Sequence, residues 1–217
     1  MNVLFIGNSY TYYNDLDRLF EALCRENHKD VTTFRVTSGG RKMIQYKDPA
    51  DPMTQQLLST LQEQTFDVVF LQEQSLLPAI DYDAFLEGMR YVSGLLLAKK
   101  PRLILYATWA RKSGSEDLQT YGWTPEEMTQ LLHCAYRKVA TEIHATVSPV
   151  GLRFQTVTEA APDIDLHNAD MTHPSYAGSC LAALTHYKTL FGAYPENTAS
   201  LSLSKKELDA FKVAVCQ

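Results

Sequence analysis

The stretch Val3-Leu4-Phe5-Ile6-Gly7-Asn8-Ser9-Tyr10-Thr11 decides the fold. Four apolar residues in a row are too few for a buried helix and read as a strand covered on both faces. Gly7 permits a tight turn directly off that strand, which presents Ser9 at its carboxyl edge. Immediately downstream, Leu16, Leu19, Phe20 and Leu23 recur at i, i+3, i+4 and i+7, the spacing of one helix face. Strand, turn and helix in this order open an α/β fold with a parallel sheet.

Working outward, the same alternation repeats. Residues 31–37 are rich in β-branched side chains and predict a second strand, ended by Gly39-Gly40. Residues 52–64 read as a helix, and Val68-Val69-Phe70-Leu71 as a third buried strand. Residues 82–99 are helical in pattern, with Pro101 as a stop. Residues 103–107 form a fourth strand, followed by a polar loop over 111–122. Thr124-Pro125-Glu126-Glu127 is a strong helix start, with a cap, a proline at the first helical position and a glutamate at the third. That helix is expected to run to about His144, and residues 146–150 to make a short fifth strand. A further helix spans 175–191 and closes at Gly192, and Ser204-Lys205-Lys206-Glu207 opens a C-terminal one. The expectation is a single domain over residues 1–217, a three-layer α/β/α sandwich around a five-stranded, mainly parallel sheet. Ligands of such sheets bind beyond the carboxyl ends of the strands.

Composition narrows the function classes. A net charge of -5 with mixed signs along the chain excludes the basic stripe of a nucleic-acid binder. No stretch approaches the length of a membrane span. Cys24, Cys134, Cys180 and Cys216 form no CxxC pair, so zinc-ribbon and redox motifs have no support. Met1 and Asn2 lead straight into the first strand without a basic n-region, which with the isolated thiols makes a cytoplasmic location the expectation.

Two segments carry chemistry. Ser9 alone reads equally well as a helix cap, although Asn14 and Asp15 lie nearer the helix that follows. The second segment, Asp170-Met171-Thr172-His173-Pro174-Ser175, sets a carboxylate and an imidazole three apart just before a helix. An acyl hydrolase needs a base for its serine and a group that fixes the tautomer of that base. His173 and Asp170 can fill those roles, or a backbone carbonyl can orient His173 in place of Asp170.

In combination these residues resemble the SGNH hydrolases, also called GDSL-like esterases. Gly7-Asn8-Ser9 is similar to the family's Gly-Asp-Ser block after strand one, with Asn8 in place of the common aspartate. Ser38-Gly39-Gly40 stands where the family has its glycine after strand two. Asp170-x-x-His173-Pro174, with Gly178 in the next helix, resembles the last block. The resemblance spans roughly residues 3 to 192 and implies the flavodoxin-like SGNH fold, with a triad of Ser9, His173 and Asp170. The third block departs from the pattern. Gln72-Glu73-Gln74-Ser75 replaces Gly-x-Asn-Asp, so the oxyanion-binding Asn is missing. A glutamine carries the same carboxamide on a longer stem, and either Gln72 or Gln74 is expected to serve. In a continuing strand both would share one face. The implied oxyanion hole is completed by the backbone N–H groups of Ser9 and of Gly39 or Gly40.

The resemblance implies hydrolysis of short acyl esters, acetyl esters of carbohydrates being favoured, without cofactor or metal. Tyr10, Trp109 and Trp123 are the expected substrate contacts. His167, Asp170 and His173 could alternatively ligate a metal, but no third ligand cluster accompanies them. The rival readings are an acyltransferase with the same triad and a silent binding module on the same fold. Oligomeric state has no sequence signal.

Overall fold

Five strands, β1 (Asn2–Gly7), β2 (Thr32–Thr37), β3 (Val68–Leu71), β4 (Arg102–Tyr106) and β5 (Thr146–Ser148), hydrogen-bond in the order β2-β1-β3-β4-β5, every pairing parallel. This is the arrangement of the computed structural model, which describes all 217 residues. The helices are α1 (Ser9–Tyr12), α2 (Leu16–Glu26), α3 (Pro52–Glu63), α4 (Leu77–Ile80), α5 (Tyr82–Leu96), α6 (Glu116–Tyr121), α7 (Pro125–Glu142), α8 (Val150–Ala160), α9 (Tyr176–Phe191) and α10 (Lys205–Cys216). Short 3-10 turns occupy Tyr13–Asp15 and Met43–Lys47.

The period-two alternation of a strand sorts the core into two layers. Val3, Phe5, Val68, Phe70, Ile104 and Tyr106 point to one face and pack with α2, α8, α9 and α10. Leu4, Ile6, Val69, Leu71 and Leu105 point to the other and pack with α3, α5 and α7. Residues 3–6 of β1 and all of β3 are apolar because both faces are covered there. The strand order reverses at β1, between β2 and β3, and a crevice opens there beyond the carboxyl ends. The segments after β1 and β3 therefore meet at one place.

Local signals set the helix ends as expected. Thr124 with Glu127, and Ser204 with Glu207, form reciprocal capping boxes. Ser175 caps α9 through the Gly178 N–H, and Gly192 ends it with φ of +80°.

Three local expectations need correction. The run 146–150 is not one strand. Pro149 has no N–H to continue a ladder, so β5 stops at Ser148 and Val150 opens α8. Gly151 lets α8 seat against the chain leaving β4, since a Cβ there would lie 2.2 Å from the Thr108 carbonyl oxygen. The polar loop 111–122 contains α6, capped when the Ser115 hydroxyl accepts the Leu118 N–H. Asp15 sits at the cap position of α2 but makes no side-chain capping bond.

All four cysteines lie unpaired in helices. Burial pushes the Cys24 and Cys180 thiols up to about 12. No helix is long and apolar enough to cross a membrane.

Candidate active site

Ser9 is the first residue of α1, directly beyond β1. Asn8, almost wholly buried, holds this turn in three directions. Its Oδ1 accepts the Tyr10 N–H at 3.2 Å and caps α1. Its Nδ2 donates to the Arg41 carbonyl at 3.0 Å, beyond β2, and its backbone N–H donates to Gln72 Oε1 at 2.9 Å, beyond β3. Gly7 is required here by space rather than by φ. A Cβ would lie 2.6 Å from both Gln72 Oε1 and Thr11 Oγ1.

The segment from Asn168 to Ser175 carries the other partners. The Asn168 N–H donates to the His173 carbonyl, and the Met171 N–H to that of Asn168. Met171 has φ of +61° and accepts the Lys112 N–H. Asp170 Oδ1 accepts the backbone N–H groups of Thr172 and His173 at 3.0 and 2.9 Å. Its Oδ2 lies 2.7 Å from His173 Nδ1, and His173 Nε2 lies 2.8 Å from Ser9 Oγ. The three side chains thus stand in hydrogen-bond order. Burial acts to raise the Asp170 carboxyl, but the bonds from Thr172 and His173 outweigh it and hold the group below its ordinary value. Asp170 is an ionised acceptor at neutral pH and fixes His173 with its Nδ1 proton toward the carboxylate.

His173 is also clamped by aromatic rings. Tyr13 stacks on the imidazole with centroids 4.2 Å apart and planes 11° from parallel, and Tyr10 meets it edge-on at 5.7 Å. Tyr13 is held by an unusual turn, since Asn14 and Asp15 both adopt positive φ, 54° and 50°. Asn14 Nδ2 donates to Ser179 Oγ and to the carbonyls of Pro174 and Ser175, tying the turn to the start of α9. Asp15 is anchored by Arg35 at 2.8 Å. The sequence sets Tyr13 apart from Tyr12 in no way, so this stacking had no signal of its own.

The remaining predicted residues divide. Gln72, buried, is fully engaged below the nucleophile turn. Its Oε1 accepts the Asn8 N–H and the Thr11 hydroxyl, and its Nε2 donates to the Glu73 carbonyl. Gln74 is half-buried. Its Oε1 accepts the N–H groups of Leu76 and Leu77, each at 2.9 Å, while its Nε2 has no protein partner. The expected common face is lost because β3 ends at Leu71 and both glutamines lie beyond it, outside the ladder. Gly39 and Gly40 occupy a turn in which the Arg41 N–H donates to the Ser38 carbonyl, Gly40 at φ of +65°. Their own N–H groups make no bond within the chain.

Tyr10 and Trp109 do not offer open faces to a substrate, contrary to expectation. Both are buried, and Trp109 is covered on one side by Tyr10 at 4.5 Å and on the other by Phe154 at 4.2 Å. They brace the histidine segment instead, Trp109 Nε1 donating to the Thr172 carbonyl and the Tyr10 hydroxyl meeting Thr172 Oγ1. Buried Arg111 ties this brace together through Tyr10, Ser75 and Asp117. Trp123 stacks on Tyr121 and lines a cleft of about 500 Å³ with Glu126, Glu127 and Leu131, in which no triad candidate takes part. His167 is no ligand partner of Asp170 and His173. Its Nε2 donates to the Ala110 carbonyl, and its backbone pairs with Pro174 to close the loop. No group of three or more His, Cys, Asp or Glu side chains converges as a metal would require.

No protein-family model matches the chain, and no curated protein does. Solved structures do. A protein of Slackia heliotrinireducens, assigned by inference to the SGNH hydrolases, is 26% identical with a TM-score of 0.78, over 88% of this chain and 98% of that one. A DUF4886 family protein from Bacteroides uniformis is 17% identical with a TM-score of 0.80, over 99% and 93%. An acetyl xylan esterase from Geobacillus stearothermophilus is 17% identical with a TM-score of 0.58, over 88% and 94%. In structure the chain is similar to the SGNH, or GDSL-like, hydrolases and has their fold.

Proposed function

We propose that this protein is a serine esterase of short acyl esters, acetyl groups on carbohydrates being its substrate class. The observation that carries the reading is the continuous line Asp170–His173–Ser9, with separations of 2.7 and 2.8 Å. A histidine so oriented takes the Ser9 hydroxyl proton at Nε2 as Oγ attacks the ester carbonyl. The same proton then passes to the leaving alcohol, and the acyl group stays on Ser9. Water attacks the acyl carbonyl next and gives its proton to His173, which returns it to Ser9 Oγ as the acyl–oxygen bond breaks and the acid leaves. Asp170 holds the imidazole and stabilises the imidazolium in both halves.

The oxyanion is assigned to three donors. Ser9, at the first position of α1, has an N–H without an intrahelical acceptor. The Gly39 N–H is free, with Gly40 supplying the turn. The third donor is Gln74 Nε2, because Gln74 spends only its oxygen on Leu76 and Leu77 while Gln72 is committed at both ends.

The acetyl preference is supported by the acetyl xylan esterases among the structural neighbours. A cytoplasmic setting belongs to the same reading, supported by four unpaired thiols. The test is a rate panel of p-nitrophenyl esters from acetate to dodecanoate, with acetylated xylo-oligosaccharides, on wild type and Ser9→Ala. Acetate should be hydrolysed fastest, and Ser9→Ala should lose on the order of 10⁶ in kcat. Equal turnover by Ser9→Ala refutes the mechanism, and a preference for long chains refutes the substrate class.

A further inference from the structure

Glu73 is a carboxylic acid with no solvent exposure and no ion-pair partner, set between the two loops that supply the proposed oxyanion donors. Its Oε1 accepts the Gln74 N–H at 2.6 Å. Both its oxygens accept the Met43 N–H, at 3.1 and 3.2 Å, from the turn that follows Gly39-Gly40. Its own N–H donates to the Tyr136 hydroxyl of α7 at 3.2 Å. One carboxylate therefore joins the segment after β3 to the segment after β2. Two backbone N–H donors aimed at its carboxyl oxygens suit the ionised acid. Protonation removes acceptor capacity from those N–H groups and leaves them less well satisfied.

Building on the serine-esterase reading, we propose that Glu73 is a positioning residue of the oxyanion hole, whose ionised carboxylate fixes Gln74 and the Gly39–Met43 loop at the spacing that receives the developing negative charge. The route is short. Glu73 holds the backbone of Gln74, Leu76 and Leu77 hold the oxygen of its carboxamide, and Nε2 is left with one direction to point. Such donors help only when preorganised, so a loosened anchor costs rate rather than substrate affinity.

The surroundings set when the anchor is present. Burial pushes the Glu73 carboxyl up to about 7, against the bonds from Gln74 and Met43 and the more distant Lys42. Tyr46 from the Met43–Lys47 turn and Tyr136 from α7 face the same region. Burial raises both phenols, Tyr46 to about 12, so neither ionises alongside it. The buried side chains that α5 brings to this layer, Phe85, Met89 and Val92, are apolar. Glu73 therefore changes charge within the neutral range, and the acid limb of kcat should contain an ionisation from Glu73 beside that of the general base.

The experiment measures kcat and KM on p-nitrophenyl acetate across pH for wild type, Glu73→Gln, Glu73→Asp, Gln74→Ala and the double variant Glu73→Gln/Gln74→Ala. Glu73→Gln should lower kcat about tenfold or more with KM within about twofold, on the scale of a partly misplaced oxyanion donor. Its acid limb should retain a single ionisation, and Glu73→Asp should recover part of the rate. The double variant should be little worse than Gln74→Ala alone, because both changes act through one group. A wild-type acid limb with one ionisation overturns the inference without any variant, as does a Glu73→Gln loss that multiplies in full with that of Gln74→Ala. A wild type that lacks Ser9-dependent hydrolysis overturns the esterase reading and this inference together. Active wild type with an indifferent Glu73→Gln overturns this inference alone.

Discussion

Two glutamines two positions apart carry opposite assignments, and the difference lies in which atoms are already bonded. Gln74 should behave as a transition-state donor. Gln74→Ala should lower kcat on the order of 10²–10³ with KM nearly unchanged, as for other side-chain oxyanion donors. Gln72 should behave as a structural post, because its Oε1 is the acceptor for the Asn8 N–H and the Thr11 hydroxyl. Gln72→Ala strands two buried donors and should destabilise the fold by roughly 1–3 kcal/mol for each group left unpaired, read as a lowered midpoint in urea. A Gln74→Ala enzyme with full kcat moves the oxyanion hole onto backbone amides alone. Tyr13 is a third case. Its ring covers the His173 imidazole, so Tyr13→Phe should keep the rate while Tyr13→Ala frees the base to rotate and lowers kcat. Equal activity of the Phe and Ala variants would remove Tyr13 from the account.

At the scale of elements, the site depends on how closely segments approach one another. Gly7→Ala pushes a methyl into Gln72 Oε1 and Thr11 Oγ1. It should cost about 1–3 kcal/mol of stability by overpacking and displace Ser9 as well, so circular dichroism melts and esterase rates should fall together. An active, unshifted Gly7→Ala protein would contradict the close packing of β1 on the chain beyond β3. All five strands were legible, β1, β3 and β4 through short apolar runs and β2 through its β-branched content, with β5 alone read two residues too long, and the helices with strong caps declared themselves at Thr124 and Ser204. Helix α8 was hidden because Thr146, Val147 and Val150 continue a β-branched run, and only Pro149 betrays the break. The order of the blocks made Ser9, Asp170 and His173 legible. The separation of Gln72 from Gln74 was not, because it depends on where β3 stops. Nor were the burial of Tyr10 and Trp109 or the role of Glu73, which depend on segments remote in sequence.

For the whole molecule, buried ionisable groups set the pH range of stability. His186 is fully enclosed in α9, bonded through Nδ1 to Ser148 and surrounded by Phe5, Phe70 and Tyr106. Burial lowers its pKa to about 3. The unfolded chain protonates this histidine below about 6.5 while the folded chain keeps it neutral. The unfolded state then binds the extra proton, and stability should fall as pH drops from about 6.5 toward 3, by up to about 1.4 kcal/mol per unit. Glu73 works in the opposite sense, its raised pKa favouring the fold at low pH and losing that contribution as pH rises from about 4.5 to 7. Urea unfolding of wild type and His186→Phe from pH 7 to 4 should give a shallower acid loss in the variant, and identical slopes would contradict the assignment. The fold's main accomplishment is to bring together Ser9 and His173, 164 residues apart in sequence. The most direct test is labelling with a fluorophosphonate probe followed by mass spectrometry of the digested protein. The account predicts one adduct on the native chain, on Ser9, greatly slowed in His173→Ala and absent after unfolding in urea. A native chain that stays unlabelled, or carries its adduct on another serine, would contradict it.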